Sequence, residues 1–274
     1  MLTVWVSVAM LCRSMYAMFL FGFSVSCFSA SPLEETQALN ILAPDLPGTS
    51  EEGVYGRDIE IVDRTLSACG YQVNFIIQPF GRHWWSFKYL ERVDGVMTVP
   101  LGYFMPGFST SAYIWYQNGA FYDASELAPI ETVDDLHGLN VVTFQDGPEI
   151  LGLEDKLEEF ESILAIADQT IHSRLLLKGR VDAILADGLI VAEVNQRIVE
   201  ASEYNSRLVS KLARLEFSPI FVPTPYKMVY KDPALAYAFD RCFDQLFMEG
   251  VITKISDRYT YKHRDQLRHR YLGQ

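Results

Sequence analysis

The chain has little with which to grip nucleic acid, ligate a metal or cross a membrane beyond its first thirty residues. Lys and Arg number 23 against 35 Asp and Glu, a formal net charge of −12. That balance argues against a partner held by its phosphate backbone, because such affinity is built from clustered cations. The one basic cluster, Lys262, His263, Arg264, Arg268, His269 and Arg270, reads as a solvated tail. There are 4 cysteines, with no CxxC pair and no Cys/His spacing suited to a metal, so no metal and no cofactor is expected. Gly/Ser linkers, low-complexity tracts and internal repeats are missing as well, and any subdivision of the chain must be joined by ordered segments.

What is present is enough apolar material, 49% of 274 residues, for one large domain or two small ones with proper cores. The first thirty residues carry no acid and a single cation, Arg13, followed by the apolar stretch Met15 to Phe23 and small residues up to Ala30. This reads as a secretory leader over residues 1–30, cleaved after Ala30 or Ser29, that would send the mature chain to the periplasm, with a retained anchor as the minor reading. Cys69 and Cys242 would then sit in an oxidising compartment, where a disulfide is allowed but not required.

The remainder alternates short apolar runs with helical patterns, the signature of an α/β architecture. Leu39 to Ala43 reads as a strand, Ile59 to Cys69 as a helix ended by Gly70, and Val73 to Ile77 as a strand. Trp84 to Leu90 reads as a helix and Val93 to Val99 as a third strand. After the extended run Tyr113 to Tyr122 a second set of such units begins. It includes the strand Leu139 to Phe144, the helix Ile171 to Lys178 and the strand Asp182 to Leu185. Pro219 to Val229 is extended, Pro233 to Phe247 is an amphipathic helix opened by proline, and Val251 to Tyr259 is a last short helix.

Four stretches, in this order, resemble the family-3 extracellular solute-binding proteins. Gly56-Arg57-Asp58-Ile59 is similar to the family's Gly-Phe-Asp opening of helix one. Gln78-Pro79-Phe80-Gly81-Arg82 with Arg92-Val93-Asp94-Gly95 resembles its Pro-Trp-x-Arg and Gly-x-x-Asp-Gly pattern. Phe108-Ser109 with Tyr113, then Asp135-Leu136-His137-Gly138, resembles its Phe-Ser-x-Pro-Tyr and Asp-Leu-x-Gly segments. The last is Lys178 to Asp187 together with Phe247 to Ile255. The resemblance implies a two-lobed, periplasmic-binding-protein-like α/β fold of type II with two hinge crossovers. Lobe one would comprise residues 32–112 plus 226–274 and lobe two residues 113–225, crossing at Tyr113 to Gln117 and Phe221 to Pro225. It also implies a monomer that captures a small molecule for an ABC-type permease. A membrane sensor as partner, or a dehydratase pairing Asp187 with Glu149 or His83, are the alternatives that the same fold admits.

A cleft between lobes matches a ligand's charges with fixed opposite ones. Asp187, just after a strand, is where the family keeps its ammonium-binding acid; otherwise it is a helix N-cap. The family's carboxylate-binding arginine has no counterpart, since Thr98 to Gly107 contains no cation. Arg82, after the second strand, could substitute. Phe80, Trp84, Tyr55 and Tyr103 could supply stacking walls or a cation-π face. Asp45 and Thr98 stand at the carboxyl ends of the first and third strands. Asp146 and Gly147 belong to a loop that opens a helix, and the acids Asp146 and Glu149 would repel a ligand carboxylate. The expected ligand is therefore cationic or an atypical amino-acid-like solute.

Overall fold

The structure, a computed structural model, describes residues 38–201 and 206–273. The expected leader lies outside the described residues, and among them no helix is long and apolar enough to cross a membrane.

Apolar, β-branched runs closed by turns place β1 at Ala38–Pro44, β2 at Gln72–Gln78 and β3 at Gly95–Pro100, with α1 (Arg57–Ala68) and α2 (Arg82–Tyr89) between them. Strands β4 (Phe108–Tyr116) and β5 (Asn118–Asp123) follow, then β6 (Asn140–Thr143), α3 (Gly147–Ile150), β7 (Ser162–Ala165), α4 (His172–Leu177) and β8 (Ala183–Asp187). The chain continues through α5 (Gly188–Ala201), α6 (Ser206–Leu212), β9 (Leu215–Ser218), β10 (Thr224–Tyr230), α7 (Pro233–Met248) and α8 (Val251–Tyr261). Helix α7 starts where Asp232 accepts from the Ala234 amide and Pro233 fills the first helical position, where its missing N–H is not needed.

The strands form two five-stranded sheets, ordered β2-β1-β3-β10-β4 and β7-β6-β8-β5-β9. In each, one strand (β1, β6) pairs in parallel with two neighbours, and the next strand across is antiparallel, β10 against β3 in the first sheet and β5 against β8 in the second. One device recurs in both. Asp94 Oδ2 accepts from Asn40 N at 2.8 Å, and Asp182 Oδ2 accepts from Asn140 N at 2.8 Å. Asp94 N and Asp182 N return bonds to Asn40 O and Asn140 O. The lobes are thus structural repeats, although no repeat stands out in the sequence.

The extended run from Tyr113 is two strands of different sheets. Tyr116 still pairs with Thr224 of β10, so the chain leaves the first sheet at Gln117 and returns through residues 219–223. The two passages are tied together by Gln117 Nε2 donating to Phe221 O (2.7 Å) and Asn118 Nδ2 to Thr224 Oγ1 (3.2 Å). Cys69, at the end of α1, and Cys242, on α7, are joined by a disulfide.

The basic C-terminal cluster is not a solvated tail. His263 is 2% exposed and Leu267 1%, because the segment after α8 folds back onto α5 of the second lobe.

Candidate functional site

Two spaces lie where the lobes meet. The larger, about 500 Å³, is lined by Trp84 and the turn Pro100, Leu101, Gly102 and Tyr103 from lobe one. Asp146, Glu149 and Ile150 line it from lobe two, and Thr224 and Pro225 from the start of β10, just after the returning crossover. Trp84 and Tyr103 stack with ring centroids 5.2 Å apart and planes 30° from parallel. Trp84 is fixed from behind by Phe80, edge-on at 4.9 Å, and by its Nε1 donating to Thr98 O at 3.2 Å. The Pro100–Tyr103 turn is held by Leu101 N donating to Pro225 O and by Lys227 Nζ donating to Leu101 O. Lys88 Nζ lies over the Tyr103 ring at 5.8 Å.

In the same lining, Asp146 has φ 58, a left-handed conformation that aspartate tolerates better than most residues. Gln145 Nε2 donates to its Oδ1 at 3.0 Å. Among the described residues neither Asp146 nor Glu149 has an ion-pair partner. The larger space is therefore lined by an aromatic pair and by two carboxylates without an ion-pair partner among the described residues. Chemically it suits a cation with an apolar or flat body.

The smaller space, about 10 Å³, lies beside Asp187 and is walled by Leu46, Phe80, Phe144 and Ile190; it holds one water at most. Asp187 ends β8 and caps α5, its Oδ1 accepting from the Leu189 and Ile190 amides at 3.0 and 3.2 Å. Its Oδ2 accepts from the Tyr271 hydroxyl at 2.8 Å, and that oxygen in turn accepts from Arg57 Nη1 at 3.0 Å. Arg57, 1% exposed, pairs with Asp58 at 2.9 Å and lies over the Tyr116 ring at 5.2 Å. Burial raises the Asp187 pKa to about 6, with the nearby Arg57 opposing the shift.

Of the residues anticipated from sequence, Trp84, Tyr103 and Asp146 come together around the larger space. Phe80 and Asp187 meet at the smaller one. Thr98 is buried in the strand core, φ 57, with its Oγ1 3.3 Å from the Tyr113 hydroxyl. Gly147 opens α3 against the Thr143 side chain, where a Cβ would come within 2.3 Å of Thr143 Oγ1. Tyr55 donates to Glu51 Oε2 at 3.0 Å and accepts from Arg197 Nη2 at 3.1 Å, outside both spaces. Asp45 is exposed, and its pKa is raised by partial burial and by repulsion from Glu51, Glu52 and Asp168. Arg82 is exposed at the start of α2, and its side chain has no hydrogen bond or ion pair among the described residues.

Sequence reasoning missed Arg57, Glu51, Glu193, Arg197 and Tyr271. Glu193 accepts from Arg197 Nε (2.9 Å) and Lys262 Nζ (3.0 Å) and lies 2.8 Å from His263 Nε2. The hydrogen bond with His263 is the largest cause lowering its pKa to about 2, followed by Lys262 and Arg197. A usable signal was Arg57 itself, a cation where the resembled motif has an aromatic.

This pair of sheets, crossed twice and closed over an interlobe space, is the two-lobed periplasmic-binding-protein-like fold. Solved structures show the same fold. An ancestral arginine-binding protein bound to arginine is 15% identical with TM-score 0.65, covering 81% of this chain and 97% of that one. The substrate-binding protein AbpA of an amino acid ABC transporter from Streptococcus pneumoniae, bound to L-arginine, is 17% identical with TM-score 0.62, covering 82% and 96%. A histidine kinase sensor domain with similarity to periplasmic binding proteins is 17% identical with TM-score 0.64, covering 82% and 96%. No protein-family model matches the sequence, and no curated protein matches it.

Proposed function

We propose that the protein is a periplasmic, monomeric solute-binding protein that takes a small cationic or atypical amino-acid-like molecule between its lobes and delivers it to an ABC-type permease. The observation that carries this reading is the space of about 500 Å³ lined by the Trp84–Tyr103 stack together with Asp146 and Glu149. A cation placed there meets two carboxylates beside an aromatic pair, and because residues of both lobes form the wall, occupancy and lobe geometry are coupled. The disulfide between Cys69 and Cys242 fits an exported chain.

The arginine-bound structures of like fold support a cationic ligand, and the histidine kinase sensor domain keeps sensing as the second reading. No chemistry is assigned to the site. That Asp187 and Glu149 line different spaces favours binding over catalysis by that pair. A thermal-shift screen against L-arginine, polyamines, quaternary amines, dicarboxylates and short peptides tests the reading. Cations that bind only the folded state raise Tm, and a rise confined to dicarboxylates overturns it.

A further inference from the structure

Segment 262–273 leaves α8 of lobe one and ends against lobe two. Lys262 and His263 reach Glu193, and Gln266 Nε2 donates to Ala192 O at 3.3 Å. Leu267 fills the space over Gly188, where an added Cβ would come within 2.9 Å of its Cδ2. Arg268 Nη2 pairs with Glu216 Oε1 of β9 at 2.8 Å. Tyr271, 2% exposed, inserts its hydroxyl between Arg57 and Asp187. Arg268, His269 and Leu272 have φ of 48, 56 and 51, a region that residues with side chains avoid unless surrounding contacts hold them there.

The contacts with Glu193, Ala192, Gly188, Glu216 and Asp187 join this segment to α5, β9 and β8 of lobe two, while Tyr271 also meets Arg57 of lobe one. We propose that residues 262–273 are an intramolecular strap that holds the lobes closed without ligand, the Tyr271 hydroxyl occupying on Asp187 the place that a solute's donor group would take. The geometry makes the two exclusive. Asp187 already accepts three donors and the space beside it holds one water at most, so a solute reaches Asp187 only when Tyr271 leaves. The space beside Trp84 lies outside this plug. The strap is read on the ligand-free protein, so its failure is distinguishable from failure of the proposed solute site.

Small-angle scattering and amide exchange on the ligand-free protein test the strap. Wild type, Arg268→Glu, Glu216→Arg, the Arg268→Glu/Glu216→Arg double variant and Tyr271→Phe are compared. The strap predicts a wild-type radius of gyration near the ~18 Å of a compact chain of this size. It predicts a larger radius in each single charge reversal and a return to the wild-type value in the double variant, a restoration that misfolding would not give. Tyr271→Phe, which keeps the ring, speeds exchange of the Leu189 and Ile190 amides at least about tenfold, as loss of a buried hydrogen bond to a charged group implies. An unchanged radius in both single reversals, or unchanged exchange in Tyr271→Phe, overturns the proposal.

Discussion

Arg197 of lobe two forks onto Glu51 of lobe one, Nη1 to Oε2 at 2.7 Å and Nη2 to Oε1 at 2.6 Å. The parallel geometry is the strongest an arginine and a carboxylate can adopt, and Glu51 is held ready for it by the Gly48 amide and the Tyr55 hydroxyl. Gly48 has φ +72 and approaches α5 so closely that a Cβ would lie 3.1 Å from Glu193 Cγ. The 46–56 loop is thus shaped to dock on the opposite lobe.

Arg197→Ala removes the shared cation from both Glu51 and Glu193. Because Arg197 is 37% exposed, water screens part of the loss, and destabilisation of about 1–2 kcal/mol is expected in urea unfolding. Arg197→Lys, which keeps the charge but not the fork, should recover only part of it.

The ligand predictions separate Arg82 from the acids. Arg82→Ala should leave affinity for a cationic solute unchanged, because its side chain lines neither space. Asp146→Asn should weaken it about tenfold or more, the cost of losing one charge-assisted contact. Isothermal titration of a hit from the thermal-shift screen reads both.

Acidification acts on buried groups of opposite sign. Burial lowers the pKa of His83 to about 3 and of His172 to about 4, so their stabilisation is complete above the unfolded value near 6.5 and is lost as pH falls through the folded values. Asp187 is shifted up to about 6, so its contribution is complete below the unfolded value near 4 and is lost as pH rises through 6. Wild type should therefore lose stability below about pH 6.5. Asp187→Asn, which removes the opposing group, should lose it more steeply between about pH 6.5 and 4, measured by urea midpoints across that range.

Reduction of the Cys69–Cys242 disulfide opens a covalent loop of sequence separation 173, and about 2–4 kcal/mol of stability should go with it. Cys69→Ser/Cys242→Ser should unfold at lower urea than the oxidised wild type and match the wild type under reductant.

The fold was legible because its elements agree with local chemistry. The runs at β1, β2 and β6 are apolar and short, and Pro233 and Gly250 bracket α7. The repeat of the lobes was hidden because it rests on isolated pairs, Asn40 with Asp94 and Asn140 with Asp182, whose partners are 54 and 42 residues apart. The aromatic pair Trp84 and Tyr103 and the acid Asp146 were visible as residue types following strands. Arg57, Glu193 and Tyr271 were not, since each owes its role to a partner across the lobes. A cluster of cations at 262–270 looks solvated in sequence, and only the acids of α5 and β9 make it a contact surface.

The most direct test of the central claim is calorimetric titration of choline, L-arginine, spermidine and L-glutamate into the wild type and into Asp146→Asn/Glu149→Gln. The account predicts that at least one of the three cations binds the wild type, that L-glutamate does not, and that the double variant loses at least about a hundredfold in affinity as two charge-assisted contacts go. Binding of L-glutamate alone, or a cation bound equally well by wild type and double variant, would contradict it.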